Sequence, residues 1–276
     1  MSKDGILGIG VATMDIYVNK GRMFPGGNEY NVACNAKLLG ARAGFLGVFG
    51  TDEYAPILEN TLVDVGVDVS MCHHEKGSSG YSHVELKDDG DRVFIDWNQE
   101  GVTDLYPIQF SDAEMEYVKG FQVVELSRYS TVTIDKIRRL SEQGIDICYD
   151  FSDEYDDISE LAPYCKYAFF SCSNMEMDDI KNILMSAVNS GCTVAVVTRG
   201  VDSIIAYDGQ NWYYQNTFEV EHVVDALGAG DSYIGAFLTN YLETEDVQNS
   251  LMKAAKHAAS VVMKEGSIGV GFEYEG

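Results

Sequence analysis

The chain has 276 residues, 44 acidic against 19 basic, and a formal net charge of −25. Hydrophobic residues make up 46% and aromatics 11%, enough for the core of one large domain or two small ones and too apolar for a disordered chain. The acidity excludes nucleic acid and anionic membranes as partners, because both present phosphate and call for a basic surface.

Short apolar runs alternate with segments of helical period. ILGIGVA (6–12) reads as the first strand, followed by DIYVNKGRMF (15–24), and PGGNEYNVACNAKLLG (25–40) as a glycine turn opening a short helix that ends at Gly40. After the strand AGFLGVFG (43–50) comes SGYSHVELKDDGDRVFIDW (79–97), two β-like runs about the turn Lys87-Asp88-Asp89-Gly90-Asp91. With 15–24 it is expected to form a small projecting sheet, either a lid over a ligand or a pairing surface, since its edges need covering.

FQVVEL (121–126), IDICYDF (145–151), YAFFS (167–171) and TVAVVT (193–198) are further strands. Between the last two, Ile180, Ile183, Leu184, Ala187 and Val188 make one apolar helix face, and Val247, Leu251, Ala254, Ala255, Ala258 and Val262 make another near the end. Buried strands separated by helices imply an α/β chain, a mostly parallel sheet with helices on both faces, in a single domain over 1–276. Ligands of such sheets bind outside the carboxyl ends of the strands.

The six cysteines (Cys34, Cys72, Cys148, Cys165, Cys172 and Cys192) form no C-x-x-C pair and mostly sit in apolar strand-like runs. They read as reduced and structural. The opening MSKDGILGIGVATMDIY lacks a long apolar secretion signal, and no run approaches the ~20 residues of a membrane span. A cytoplasmic location is expected.

HVVDALGAGDSYIGAFLTNYL (222–242) carries the most chemistry. An apolar run ends at Asp225, a small-residue turn follows, and a helix begins near Gly228. The amides of Gly228, Ala229 and Gly230 would point out of the helix start, where amides and dipole together attract phosphate oxygens. Asp231 falls in the first turn beside that anion site. A carboxylate there suits a base that removes a proton from an attacking hydroxyl, although Asp is also a common helix cap. In 25–40, Asn28 and Asn31 lie one turn apart and can face one ligand. Their uncharged amides donate and accept, as sugar hydroxyls require, and Asn28 is expected to cap the helix as well. Asp15 could grip further hydroxyls. The strand end Thr198-Arg199-Gly200 offers a hydroxyl, a guanidinium for phosphate and a bare backbone.

Gly26-Gly27-Asn28-x-x-Asn31 and Asp225-x-x-Gly228-Ala229-Gly230-Asp231, in this order and separation, resemble the two signatures of the ribokinase-like (PfkB) carbohydrate kinases. The likeness covers essentially the whole chain. Within the family it is nearest to the fructoselysine 6-kinases, through Gly26–Ala33, VEL (84–86) with DRVF (91–94), Glu100-Gly101-Val102 and Asp150-Phe151-Ser152-Asp153.

The resemblance implies a three-layer α/β/α fold with a β lid from 15–24 and 79–97, and an ATP- and Mg²⁺-dependent kinase for a primary hydroxyl, foremost the 6-hydroxyl of fructoselysine. Asp231 would be the base and the Gly228, Ala229 and Gly230 amides the anion hole. Asp15, Gly27, Asn28, Asn31 and Arg92 would hold the sugar. Thr198, Arg199, Gly200, Gly228 and Gly230 would lie along the nucleotide, with Ala255 and Ala258 walling the adenine. Glu176 would organise Mg²⁺ through water, Asp225 and the tail near Gly266–Gly271 would hold a monovalent cation such as K⁺, and the lid would clasp a homodimer.

There are three departures from the family pattern. Ser173 stands at the asparagine place of Asn-x-x-Glu, Ser203 at an expected glycine, and Ala226-Leu227 where threonine is frequent. The alternatives are a kinase of another sugar, a sugar phosphate or a nucleoside, and a non-catalytic sugar sensor. Gly8-Ile9-Gly10-x-x-Thr13 lacks the third glycine of a dinucleotide site, and no G-K-[ST] of a P-loop exists. His73, His74, His83, His222 and His257 lack metal-ligand spacing, and the acidic runs read as solvated turns.

Overall fold

The structure, a computed structural model, describes residues 4–88 and 90–275. Met1–Lys3 of the opening segment and Asp89 of the expected lid turn lie outside the described residues. In chain order the strands are β1 (Ile6–Gly10), β2 (Thr13–Tyr17), β3 (Arg22–Gly26), β4 (Ala43–Phe49), β5 (His73–His74), β6 (Gly80–Leu86), β7 (Arg92–Trp97), β8 (Val123–Ser127), β9 (Asp146–Ser152), β10 (Tyr167–Ser171), β11 (Val194–Thr198), β12 (Ile204–Tyr207), β13 (Trp212–Gln215) and β14 (Phe272–Glu273). The helices are α1 (Asn28–Leu38), α2 (Tyr54–Val65), α3 (Val102–Leu105), α4 (Asp112–Lys119), α5 (Ile134–Glu142), α6 (Ile158–Leu161), α7 (Met177–Ser190), α8 (Ala229–Thr244) and α9 (Val247–Val261).

Among the described residues the large sheet runs β13-β12-β11-β10-β9-β8-β1-β4-β5, parallel except where β12 and β13 turn back at one edge. Its strands are apolar on both faces, and alternate residues divide between two cores. Ile6, Phe45, Val123, Cys148 and Phe169 pack on one side with α1, α2, α8 and α9, while Leu7, Leu46, Val124, Ile147 and Phe170 pack on the other. Only a sheet covered on both faces accommodates that pattern. The stripe along α7 is realised with Ile180, Leu184 and Ala187 buried, and that of α9 with Leu251, Ala254 and Ala255. All six cysteines are free thiols, and five are buried.

The segments that break the alternation build a second sheet, β14-β3-β2-β6-β7, in which β2 and β6 are parallel and the other neighbours antiparallel. Tyr17, Phe24, Val84, Leu86 and Leu227 form its own small core. Each parallel strand β1, β8, β9, β10 and β11 ends at the same edge of the large sheet, and there the two sheets border one cleft of about 1430 Å³.

Candidate active site

The cleft floor is made by two helix starts. Helix α1 opens after Gly27, whose φ of 116° lets the chain pass Val11; a Cβ there would stand 2.3 Å from the Val11 carbonyl oxygen. The α1 cap is therefore Gly27, without a side-chain bond, and Asn28 does not cap. Its amide instead faces the cleft, with Nδ2 3.4 Å from Asp231 Oδ1 and 3.5 Å from Asp150 Oδ2. One turn on, Asn31 Nδ2 donates to Asp231 Oδ2 at 2.8 Å. Its Oδ1 is buried without a partner.

Helix α8 opens at Gly228, also left-handed at φ 74° and packed against Ser267. The Ala229 amide donates to Ala226 O at 3.3 Å. Of the expected trio of outward amides, that of Ala229 is thus taken within the turn. A Cβ at Gly230 would meet nothing within 4 Å, so the space ahead of this turn is open.

Burial pushes the Asp231 carboxyl up to about 8, Asn31 opposing, Asp150 and Glu29 pushing further, and Arg92 drawing it back. A base wants a pKa near its working pH, and this environment supplies one. Asp15 is 5% exposed and accepts from Ser82 Oγ at 2.6 Å. Burial lifts its carboxyl to about 7 against the pull of Ser82 and Arg92. Asp15, Gly27, Asn28, Asn31, Arg92, Gly228, Ala229, Gly230 and Asp231 all border the cleft.

At the other end of the cleft stand Thr198, Gly200, Ala255 and Ala258. Thr198 Oγ1 donates to Phe170 O at 3.3 Å. Arg199, Glu176 and Asp225 are not among its walls. Arg199 Nη2 lies 3.5 Å from Asp202 Oδ2, and Glu176 stands at the N-cap position of α7 without a side-chain bond to the helix. Asp225 is 1% exposed and commits its oxygens to Tyr17 OH at 2.6 Å, Leu227 N at 2.9 Å and Gly266 N at 2.8 Å. It ties the second sheet and the chain's tail to the turn before α8. Among the described residues no three His, Cys, Asp or Glu side chains gather to hold a metal ion.

Four residues of the site were not foreseen as such. Asp150, at the end of β9, is 8% exposed and accepts from Ser152 N at 2.8 Å, Ser152 Oγ at 3.1 Å and Asn28. Ser152 turns to φ 51° to make both bonds. Burial raises the Asp150 carboxyl, and among the described residues no cation pairs with it. Ser82 orients Asp15. Glu29, fully buried, accepts from Val11 N at 3.1 Å, Ser127 N at 2.9 Å and Ser127 Oγ at 2.5 Å. Glu125 is fully buried with neither carboxyl oxygen bonded, and burial, with Glu29 beside it, raises its carboxyl well above the ordinary range.

The profile of pfkB family carbohydrate kinases matches residues 7–271. Fructosamine kinase FrlD of Bacillus subtilis (strain 168) is 30% identical over 98% of this chain and 94% of its own length. Fructoselysine 6-kinase of Escherichia coli (strain K12) is 29% identical over 94% and 97%. The structure of Arabidopsis thaliana ribokinase with ribose and ATP superposes with a TM-score of 0.82 at 22% identity, covering 97% of this chain and 95% of that one, which establishes the ribokinase-like fold. An aspartate held between two amide side chains, at a helix mouth above a parallel sheet, thus sits in a chain that belongs to the pfkB family of carbohydrate kinases.

Proposed function

We propose that this kinase transfers the γ-phosphate of ATP to the 6-hydroxyl of a ketoamine such as fructoselysine. The observation that carries the substrate reading is Asp150: a buried carboxylate beside Asn28, with only uncharged donors on it. Such a group seeks a cation from the ligand, and the linking amine of a ketoamine is one. Neutral fructose or ribose brings none. The two similar relatives named for fructosamine and fructoselysine support the same choice.

Sugar hydroxyls dock on Asp15, Asn28 and Asn31. Asn31 and Asn28 hold the Asp231 carboxylate toward the 6-hydroxyl, whose proton it takes as the oxygen attacks phosphorus. The Gly230 and Asp231 amides, with the dipole of α8 behind them, face the oxygens of the passing phosphoryl group. The nucleotide lies along Thr198 and Gly200 with its base against Ala255 and Ala258. Mg²⁺, which takes one or two carboxylates and completes its shell with water and phosphate, fits a cleft end without an acidic cluster; Glu176, reached through water, is the carboxylate for it. When bound it neutralises charge on the phosphates.

Val93, Phe94, Ile95 and Trp97 on the edge strand β7 are exposed, Trp97 by 59%. An open apolar edge calls for cover, and a homodimer through segment 79–97 provides it; a monomer in light scattering would refute this. Free thiols throughout and the use of ATP suit the cytoplasm. The substrate reading is tested by ADP release across fructoselysine, fructose, ribose, fructose phosphates and nucleosides. Turnover confined to sugars without an amine would overturn it.

A further inference from the structure

A second cavity, of about 260 Å³, lies against the first. Its floor is Tyr149, Phe151 and Leu161, and its rim is Arg128, Glu154 and Asp157. Tyr149 and Phe151 flank Asp150 on β9, so they face the opposite side of the sheet from the carboxylate read above as the amine's partner. Arg128, directly after β8, borders both cavities. Its guanidinium lies 5.3 Å from the Tyr129 ring centroid and its Nη1 donates to Glu154 Oε1. A guanidinium has five donors in a fork, so one carboxylate on Nη1 leaves it able to receive another. Ser152, at the end of β9, has φ 51°, and Thr131, four residues past the end of β8, has φ 56°. For a β-branched residue the second of these is a true outlier, of the kind that collects at ligand sites.

These surfaces match an α-amino-acid end piece by piece. An aromatic and aliphatic floor suits methylenes, Arg128 suits a carboxylate, and Glu154 with Asp157 suits an ammonium. A cavity of about 260 Å³ is large enough for a flexible arm such as that of lysine beyond its linking nitrogen. We infer that this cavity is the subsite for the amino-acid arm of the ketoamine, with Arg128 meeting the α-carboxylate. The inference rests on the ketoamine reading and deepens it: Asp150 takes the linking amine at the sugar, and the arm crosses the end of β9 into the pocket. Arg128 is then a specificity residue that acts through binding, not on the reacting atoms.

The test compares wild type, Arg128→Ala and Arg128→Lys on two ketoamines. One is fructoselysine; the other is the ketoamine of 1-aminopentane, which keeps the methylenes and lacks the carboxylate and α-amine. Loss of a charge-assisted pair should raise KM for fructoselysine at least about tenfold in Arg128→Ala, with kcat changed less than about twofold. KM for the pentylamine ketoamine should move less than about twofold, and that same measurement shows the variant folded. Arg128→Lys should recover part of the loss on fructoselysine. Equal changes on both substrates, or none on fructoselysine, would overturn the subsite while the kinase reading stands. Wild type idle on both ketoamines yet active on fructose would overturn the substrate reading and the subsite with it.

Discussion

Asn31 Nδ2 donates to Asp231 Oδ2 at 2.8 Å, joining the first turn of α1 to the first turn of α8 across 200 positions of sequence. The bond stabilises the ionised carboxylate in a place where burial opposes ionisation. It therefore orients the Asp231 carboxyl and tunes it at once.

Asp231→Asn keeps the shape and removes the proton acceptor. Turnover should fall about 10²–10⁴-fold, while nucleotide affinity by calorimetry stays within about twofold. Near-normal turnover would show that another group takes the proton.

With Asp231 lifted to about 8, kcat/KM for a neutral sugar should climb through pH 7, because only the ionised form accepts a proton and kcat/KM reports the free enzyme. Asn31 lowers the carboxyl, so Asn31→Leu should move that limb to higher pH. Asp150 raises it, so Asp150→Asn should move the limb to lower pH. Stopped-flow or coupled assays between pH 5.5 and 9.5 would reveal both shifts; coincident limbs would contradict the assignment.

Gly228 and Gly230 are one residue apart and should respond oppositely to alanine. At Gly228 the backbone is left-handed and the new Cβ would come 2.1 Å from Ser267 Cβ, so Gly228→Ala should cost about 1–3 kcal/mol or more. At Gly230 nothing lies within 4 Å and the position is helical. Gly230→Ala should leave stability equal or up to about 1 kcal/mol higher, yet lower kcat by crowding the phosphoryl path. Thermal melts beside kinetics separate the two.

Glu125 is fully buried with unpartnered oxygens and a carboxyl raised well above its ordinary range. Its unfolded form ionises above about 4.5 while the folded form keeps the proton, so the folded state binds more protons and stability is lost as pH rises. Glu125→Met removes that loss. The variant should gain little in unfolding midpoint at pH 4.5 and progressively more by pH 8. A gain independent of pH would mean that packing, not ionisation, is responsible.

The sequence by itself determined the elements. The continuous apolar runs of β1, β4 and β8–β11 and the 3.6 period in α7 and α9 are short-range consequences of which residues can be buried, and the structure repeats them closely. The paired glycine turns with Asn28, Asn31 and Asp231 were equally legible, because small residues before a helix have few other uses. Only the tertiary structure decided who faces whom. Asp150 reaches Asn28 because β9 and β1 end at the same edge of the large sheet with β8 between them, a fact of strand order that no local pattern encodes. Asn28 leaves its cap for the same reason, and Asp225 is drawn to Tyr17 by the fold of the second sheet. Period and turn chemistry act over a few residues, whereas burial of charge depends on what the whole chain brings alongside. The acids of this −25 chain thus divide in the folded state, some left to water and a few set around the cleft, Asp15 and Asp150 buried and Asp231 half-buried.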